Sequence, residues 1–142
     1  MGWHDAGDGT LFCGINVEQG RIIDYATPGQ PQFRSFIKAA IKELNVDLIL
    51  SPTQSLVLRK IKPQDKPRFQ ELMRQYDVPS IDEIDPLTRL AMACPALPLC
   101  GLAVTEAERY MPTMVKRIRA LLDATGLHGE EIMMRMTGEK QE

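Results

Sequence analysis

Two cysteines separated by five residues are the clearest candidates for chemistry in this sequence. Cys94 and Cys100 flank the segment Pro95-Ala96-Leu97-Pro98-Leu99, whose two prolines exclude a regular helix. Thiolates in an apolar, proline-rich loop suit a metal ion or an iron–sulfur cluster, but a 4Fe–4S cluster or a structural zinc needs about four ligands. The residues alone therefore leave three interpretations open: two buried structural cysteines, a redox disulfide, or half of a metal site.

The other metal-binding side chains give weaker signals. Cys13 lies in an apolar, β-favouring run, which predicts a packing role. His4 and His128 show none of the close ligand spacing of zinc fingers. We expect no further metal ligand among these residues.

Composition narrows the class of protein. The chain has 142 residues, of which 44% are hydrophobic and 25% charged, and its formal net charge is −2. These values are close to those of soluble globular domains, and they argue against a nucleic-acid partner. No apolar run approaches the roughly 20 residues of a membrane span, and three cysteines are too few for a disulfide scaffold. No signal peptide is evident, so we expect a cytoplasmic protein without a membrane partner.

Hydrophobic periodicity predicts a repeated hairpin-and-helix unit over residues 1–78. Alternating or continuous apolar runs predict strands, and apolar residues at three- and four-residue steps predict helices. The predicted order is β-β-α-β-β-α, an α+β arrangement with helices on one face of a sheet. The six predicted elements are strands 10–16 and 21–25, a helix over 31–44, strands 47–50 and 55–58, and a helix over 63–76.

Residues 79–142 differ in composition from residues 1–78, which predicts a second domain. Prolines and acidic residues around Pro86 mark the boundary, and the cysteine loop follows. Thr105 precedes two glutamates and predicts the N-terminus of a helix. The run 131–137 predicts a last strand.

The segment from Ala93 to Arg109, ACPALPLCGLAVTEAER, resembles the first cluster-ligand motif of the sirohaem and 4Fe–4S nitrite and sulfite reductases. Residues 2–9, GWHDAGDG, resemble the start of the second ferredoxin-like half-domain of that family. The resemblance extends to Gly138. It implies a nitrite/sulfite reductase ferredoxin-like half-domain over residues 1–78, followed over 79–142 by the start of the α/β sirohaem and 4Fe–4S domain.

Within the family, the cysteine motif resembles the ferredoxin-dependent sulfite reductases of plants and cyanobacteria. This resemblance implies six-electron reduction of sulfite to sulfide, with ferredoxin as electron donor and with sirohaem coupled to a 4Fe–4S cluster as cofactors. It implies that Cys94 and Cys100 are two of the four cluster ligands. Thr53, Gln54 and Ser55 belong to a segment that approaches the sirohaem in the family, although such residues usually satisfy the backbone of a turn. In a plant or alga, the expected compartment is the plastid stroma.

The match to the family is incomplete. In the family, a run that resembles Met134-Arg135-Met136-Thr137-Gly138 leads into a second motif, Cys-Pro-Asn-Gly-Cys. In this chain, Glu139-Lys140-Gln141-Glu142 follows instead. We therefore expect an internal, truncated portion of the enzyme that is inactive alone and contains no catalytic residue. Two alternatives are a self-associating, non-enzymatic α+β module that forms a homodimer through an exposed sheet edge, and a small thiol-redox protein that uses Cys94 and Cys100.

Overall fold

The computed structural model describes residues 1–140. These residues divide into two compact units, Met1–Glu83 and a second unit that begins at Ile84. The domain assignment on either side of residue 78 stays a prediction. None of the described helices is both long and apolar enough to cross a membrane.

The first unit is a four-stranded antiparallel sheet with two helices. The sheet order is β1-β2-β4-β3. Its elements are β1 Gly2–Asp5, β2 Leu11–Ile15, α1 Phe33–Leu44, β3 Asp47–Leu50, β4 Leu56–Ile61 and α2 Lys66–Gln75. The predicted β-β-α-β-β-α order and the α+β class are confirmed.

The first hairpin is not the one that the sequence predicted. β2 pairs with β1, in the register Gly2↔Gly14, and residues 21–25 form no strand. The short connection between β1 and β2 explains this outcome. Asp5 accepts a hydrogen bond from the Gly7 amide at 2.7 Å, and the Asp8 carboxylate accepts one from the Thr10 amide at 2.9 Å. These aspartate–backbone bonds form the reversal, so β1 becomes the partner of β2.

The helix α1 follows from its sequence pattern. Phe33, Phe36, Ile37 and Ala40 recur at three- and four-residue steps, and all four are buried. The helix ends at Asn45, whose φ of 52° is left-handed and whose N–H donates to the Ile41 carbonyl oxygen at 3.0 Å. The predicted helix over residues 31–44 is thus confirmed, with its start two residues later.

An aromatic cluster forms the centre of the first core. Phe69 of α2 meets Trp3 edge-to-face with ring centroids 5.1 Å apart, and it meets Phe36 of α1 at 5.5 Å. Phe36 and Phe69 are fully buried. Aromatic pairs in this geometry add stability beyond the burial of their area, so this cluster joins both helices to β1.

The second unit combines two helices with two short parallel strands. Its elements are α3 Pro86–Leu90, β5 Ala91–Ala93, α4 Met111–Ala124 and β6 Met134–Met136. β5 and β6 pair in the register Ala91↔Met134 and Ala93↔Met136. The predicted last strand is confirmed but shorter.

The predicted helix start at Thr105 is wrong. α4 begins six residues later, at Met111, and Pro112 occupies its first turn. The backbone of Thr105 is already engaged, because its N–H donates to the Gly138 carbonyl oxygen at 3.2 Å and its own carbonyl oxygen accepts from Leu97. The backbone of Thr105 is thus bonded to Leu97 of the cysteine loop and to Gly138 after β6 instead of to a following helical turn.

Candidate functional site

Cys94 stands at the carboxyl end of β5. The strand places Ala91 and Ala93 in the core of the second unit. The Cys94 amide donates to the Met136 carbonyl oxygen at 3.0 Å and so continues the pairing with β6 by one residue. The parallel strand pair therefore fixes the backbone from which the Cys94 thiol projects.

A compact turn connects Cys94 with Cys100. The carbonyl oxygen of Ala96 accepts hydrogen bonds from the amides of Leu99 and Cys100, at 3.0 and 2.8 Å. Ala96 is fully buried and has a φ of 51°, an unusual conformation for a residue with a side chain. The predicted irregular loop is confirmed, and its two prolines lie on either side of this buried alanine.

Two residues after β6 contact the Cys94 thiol. The Gly138 amide donates to Cys94 Sγ at 3.2 Å, and the thiol donates to Thr137 Oγ1 at 3.7 Å. Sequence reasoning assigned Thr137 and Gly138 only to a family motif and missed these contacts. Because 44 residues separate Gly138 from Cys94, local patterns could not reveal the contact.

Both cysteines of the loop are half-buried and not joined by a disulfide, and apolar residues flank them in sequence. Four large apolar residues of the segment 97–104 are exposed: Leu97, Leu99, Leu102 and Val104. The loop thus combines two half-buried cysteines with several exposed apolar side chains.

Cys13 lies in the first unit and does not join this pair. It is buried in the core, and burial raises the pKa of its thiol to about 12. The predicted packing role of Cys13 is confirmed.

The two loop cysteines match the chemistry of an iron–sulfur ligand set but not its number. Within residues 1–140, no group of three or more histidine, cysteine, aspartate or glutamate side chains is placed to hold a metal ion. Thiolates are the preferred ligands of such clusters, and a 4Fe–4S cluster takes about four of them. Cys94 and Cys100 thus fit as one half of a ligand set.

Thr53, Gln54 and Ser55 form the turn between β3 and β4. Ser51 Oγ lies 2.7 Å from Thr53 Oγ1, and the Ser55 hydroxyl donates to the Thr53 carbonyl oxygen at 3.3 Å. Gln54 has a left-handed φ of 55°, and Ser55 is buried. Thr53, at the tip, is exposed. The polar groups of Thr53 and Ser55 thus stabilise the turn, and a sirohaem contact by the three residues stays a prediction.

Comparisons with known proteins agree on one family. No protein-family model matches the chain. The chain is 41% identical over 138 residues to a sulfite reductase (ferredoxin) of Synechococcus elongatus. It is 36% identical, also over 138 residues, to a sulfite reductase (NADPH) hemoprotein beta-component of Afipia carboxidovorans. Both alignments include 97% of this chain, which spans 22% and 23% of the length of these relatives.

A solved structure shows the same fold. The chain superimposes on the Mycobacterium tuberculosis NirA protein with a TM-score of 0.72 and 16% sequence identity, covering 96% of this chain and 24% of that one. At this identity the likeness concerns the fold alone. The curated relatives confirm the resemblance seen in the cysteine motif: over nearly its whole length, this chain is homologous to a segment of the sulfite reductases.

Proposed function

We propose that this chain is the portion of an assimilatory sulfite reductase that contributes Cys94 and Cys100 as two of four ligands to a 4Fe–4S cluster. The observation that carries the proposal is the placement of Cys94. Its thiol leaves the carboxyl end of a strand, accepts the Gly138 amide at 3.2 Å and belongs to a loop that holds a second half-buried thiol. Such backbone donors to sulfur are typical of iron–sulfur ligation.

Ferredoxin is the electron donor that we propose for the whole enzyme. The ferredoxin-type relative is 41% identical to this chain, whereas the first NADPH-type relatives are 33–38% identical. Sulfite is the corresponding substrate, as in the names of all these relatives.

In the whole enzyme, a cluster held in part by Cys94 and Cys100 would supply electron transfer to sirohaem, the cofactor at which sulfite would be reduced. The residues of this chain orient and surround two ligand atoms. β5 and β6 hold the Cys94 backbone, and the carbonyl oxygen of Ala96 organises the turn to Cys100. The segment 97–104 adds four exposed apolar side chains that are close to these cysteines in sequence, and hydrophobic surroundings tune a cluster's reduction potential.

The two alternative functions lack supporting observations. The relatives are sulfite reductases over 97% of the chain, and nothing supports the homodimer that a self-associating module would form. A thiol-redox role would use the same two cysteines, but the relatives that share this segment are sulfite reductases. Neither alternative is favoured over the reductase.

The proposal is tested in a full-length sulfite reductase (ferredoxin) in which this sequence replaces the corresponding segment. Cys94→Ala and Cys100→Ala are each expected to abolish the visible cluster absorption and sulfite reduction. Cys13→Ala is the matched control and keeps both, because Cys13 is a core residue of the other unit. A Cys94→Ala enzyme with wild-type iron and sulfide content would contradict the ligand assignment.

A second arm uses the 142-residue chain alone. Anaerobic reconstitution with iron and sulfide is expected to give no stable stoichiometric cluster and no sulfite reduction, because the chain has three cysteines and one of them is buried in a core. A full cluster with turnover in this chain would contradict the proposal that the chain holds half of the ligand set.

A further inference from the structure

We infer that Gly138 is a positioning residue for Cys94, because it joins β6 to the cysteine loop at a point where no side chain fits. The purpose of this arrangement rests on the proposed function, in which Cys94 binds a cluster. The contacts of Gly138 are present in this chain without a cluster and can be measured without one.

Gly138 binds the cysteine loop through both of its backbone groups. Its N–H donates to Cys94 Sγ at 3.2 Å. Its carbonyl oxygen accepts from the amides of Val104 and Thr105, at 2.7 and 3.2 Å. One buried residue is therefore hydrogen-bonded to the first cysteine and to the segment that follows the second.

A side chain at position 138 would collide with parts of the loop that cannot move easily. An added Cβ would lie 2.5 Å from the Ala96 Cβ and would overlap the Thr105 carbonyl oxygen. Ala96 is buried and its carbonyl oxygen accepts two hydrogen bonds, while both backbone groups of Thr105 are engaged. The neighbours are backbone or core atoms rather than flexible side chains, so the loop would have to separate from β6.

The bond from Gly138 also explains how the thiol is oriented. The amide approaches the sulfur from β6, and Thr137 Oγ1 lies 3.7 Å away as an acceptor for the thiol proton. A backbone N–H directed at a ligand sulfur withdraws electron density from it and raises the reduction potential of a bound cluster. Gly138 thus sets both the direction and the electron density of the Cys94 sulfur.

The test records ¹⁵N–¹H spectra and amide exchange of the 142-residue chain with reduced thiols and no metal. Cys94→Ala removes the acceptor, so the Gly138 amide resonance is expected to shift and its exchange to accelerate about three- to tenfold, the effect of one ordinary hydrogen bond. Cys94→Ser keeps an acceptor on the same carbon and is expected to restore protection. Cys100→Ala is the control and leaves the Gly138 amide unchanged.

A second pair of variants tests the steric requirement. Gly138→Ala is expected to remove exchange protection from the amides of Val104 and Thr105. Gly101→Ala is the matched control in the same loop, because an added Cβ there meets nothing within 4 Å. In the cluster-containing enzyme, Gly138→Ala is expected to lower the reduction potential of the cluster.

Two results would overturn the inference: a Gly138 amide that is insensitive to Cys94→Ala, or protected Val104 and Thr105 amides in Gly138→Ala. If Gly138→Ala does not fold, the cysteine series still decides. Failure of cluster binding in the reconstituted enzyme would overturn the proposed function but leave these amide measurements unaffected, so the two failures are distinguishable.

Discussion

Replacing Asp85 by alanine is expected to destabilise the second unit and thereby the cysteine loop. The Asp85 carboxylate accepts the Leu87 amide at 2.7 Å and so caps α3, the helix that leads directly into β5. It also accepts from Arg119 Nε and Nη2 on α4, at 2.7 and 2.9 Å. One carboxylate therefore links the elements on both sides of the loop.

The size of the effect follows from these three bonds. Loss of a helix N-cap costs about 1 kcal/mol. The two-point pair with Arg119 adds about 1 to 2 kcal/mol, a value reduced for screening because the Asp85 side chain is 37% exposed. Arg119 is only 17% exposed, and its Nη1 is buried with no hydrogen-bond partner among the described residues, so the variant leaves a poorly solvated cation. We expect a loss of about 2 to 3 kcal/mol.

Amide exchange followed by mass spectrometry measures this loss in the second unit separately from the first. Exchange in peptides that contain β5 and β6 is expected to accelerate about 30- to 150-fold. Glu106→Gln is the control in the same unit, because the Glu106–Arg109 pair is about half exposed on both sides and contributes well under 1 kcal/mol. An Asp85→Ala effect no larger than that of the control would refute the reasoning.

Asp85→Asn tests the charge alone. Hydrogen bonds from Arg119 hold the pKa of Asp85 below its usual value, against the opposing effect of burial. A carboxylate with a lowered pKa stabilises the fold above its unfolded-state pKa, and this stabilisation is lost as the pH falls through the folded-state value. The wild-type advantage over Asp85→Asn is thus expected in full at neutral pH and to shrink below about pH 4. A pH-independent difference would contradict the assignment.

Three further predictions concern the first unit. Phe69→Ala is expected to cost about 3 to 5 kcal/mol in denaturant unfolding followed by Trp3 fluorescence, whereas Ile49→Ala, 44% exposed, costs less than about 1 kcal/mol. Burial raises the thiol pKa of Cys13 to about 12, so Cys13 is expected to resist alkylation at pH 8 until the protein unfolds, while the loop cysteines react. Labelling of Cys13 in the folded chain would contradict this. Asn45→Ala is expected to cost about 1 kcal/mol at the left-handed end of α1, and Asn45→Gly about 0.5 kcal/mol or less; equal midpoints would contradict this.

Helix α1 and the hairpin of β3 and β4 were predictable because their patterns are local. Apolar residues from Phe33 to Ala40 follow the helical period, and one helix face can bury them. The first hairpin was not predictable from pattern alone. Residues 21–25 have the composition of a strand. The hydrogen bonds of Asp5 and Asp8 in the preceding turn nevertheless make β1 the partner of β2.

The candidate site was predictable in part. The resemblance of residues 93–109 to a family motif singled out Cys94 and Cys100, whereas their spacing alone left three interpretations open. The donor to Cys94 was missed, since the parallel pairing of β5 and β6 is a tertiary feature. One signal was present in the sequence, because a glycine directly after the predicted strand 131–137 can mark a close backbone approach. In the structure Gly138 does not have a left-handed φ, so its small size is needed for close approach rather than for a turn.

The parallel pairing of β5 and β6 has a consequence for the order of events during synthesis. Cys94 emerges from the ribosome 44 residues before Gly138, its hydrogen-bond donor. Contacts between residues so distant along the chain form late, after the costly closure of the intervening segment. The turn to Cys100 can form early, because its hydrogen bonds to the Ala96 carbonyl oxygen are local. The Cys94 thiol, in contrast, lacks its donor until α4 and β6 have been synthesised and the chain returns to β5.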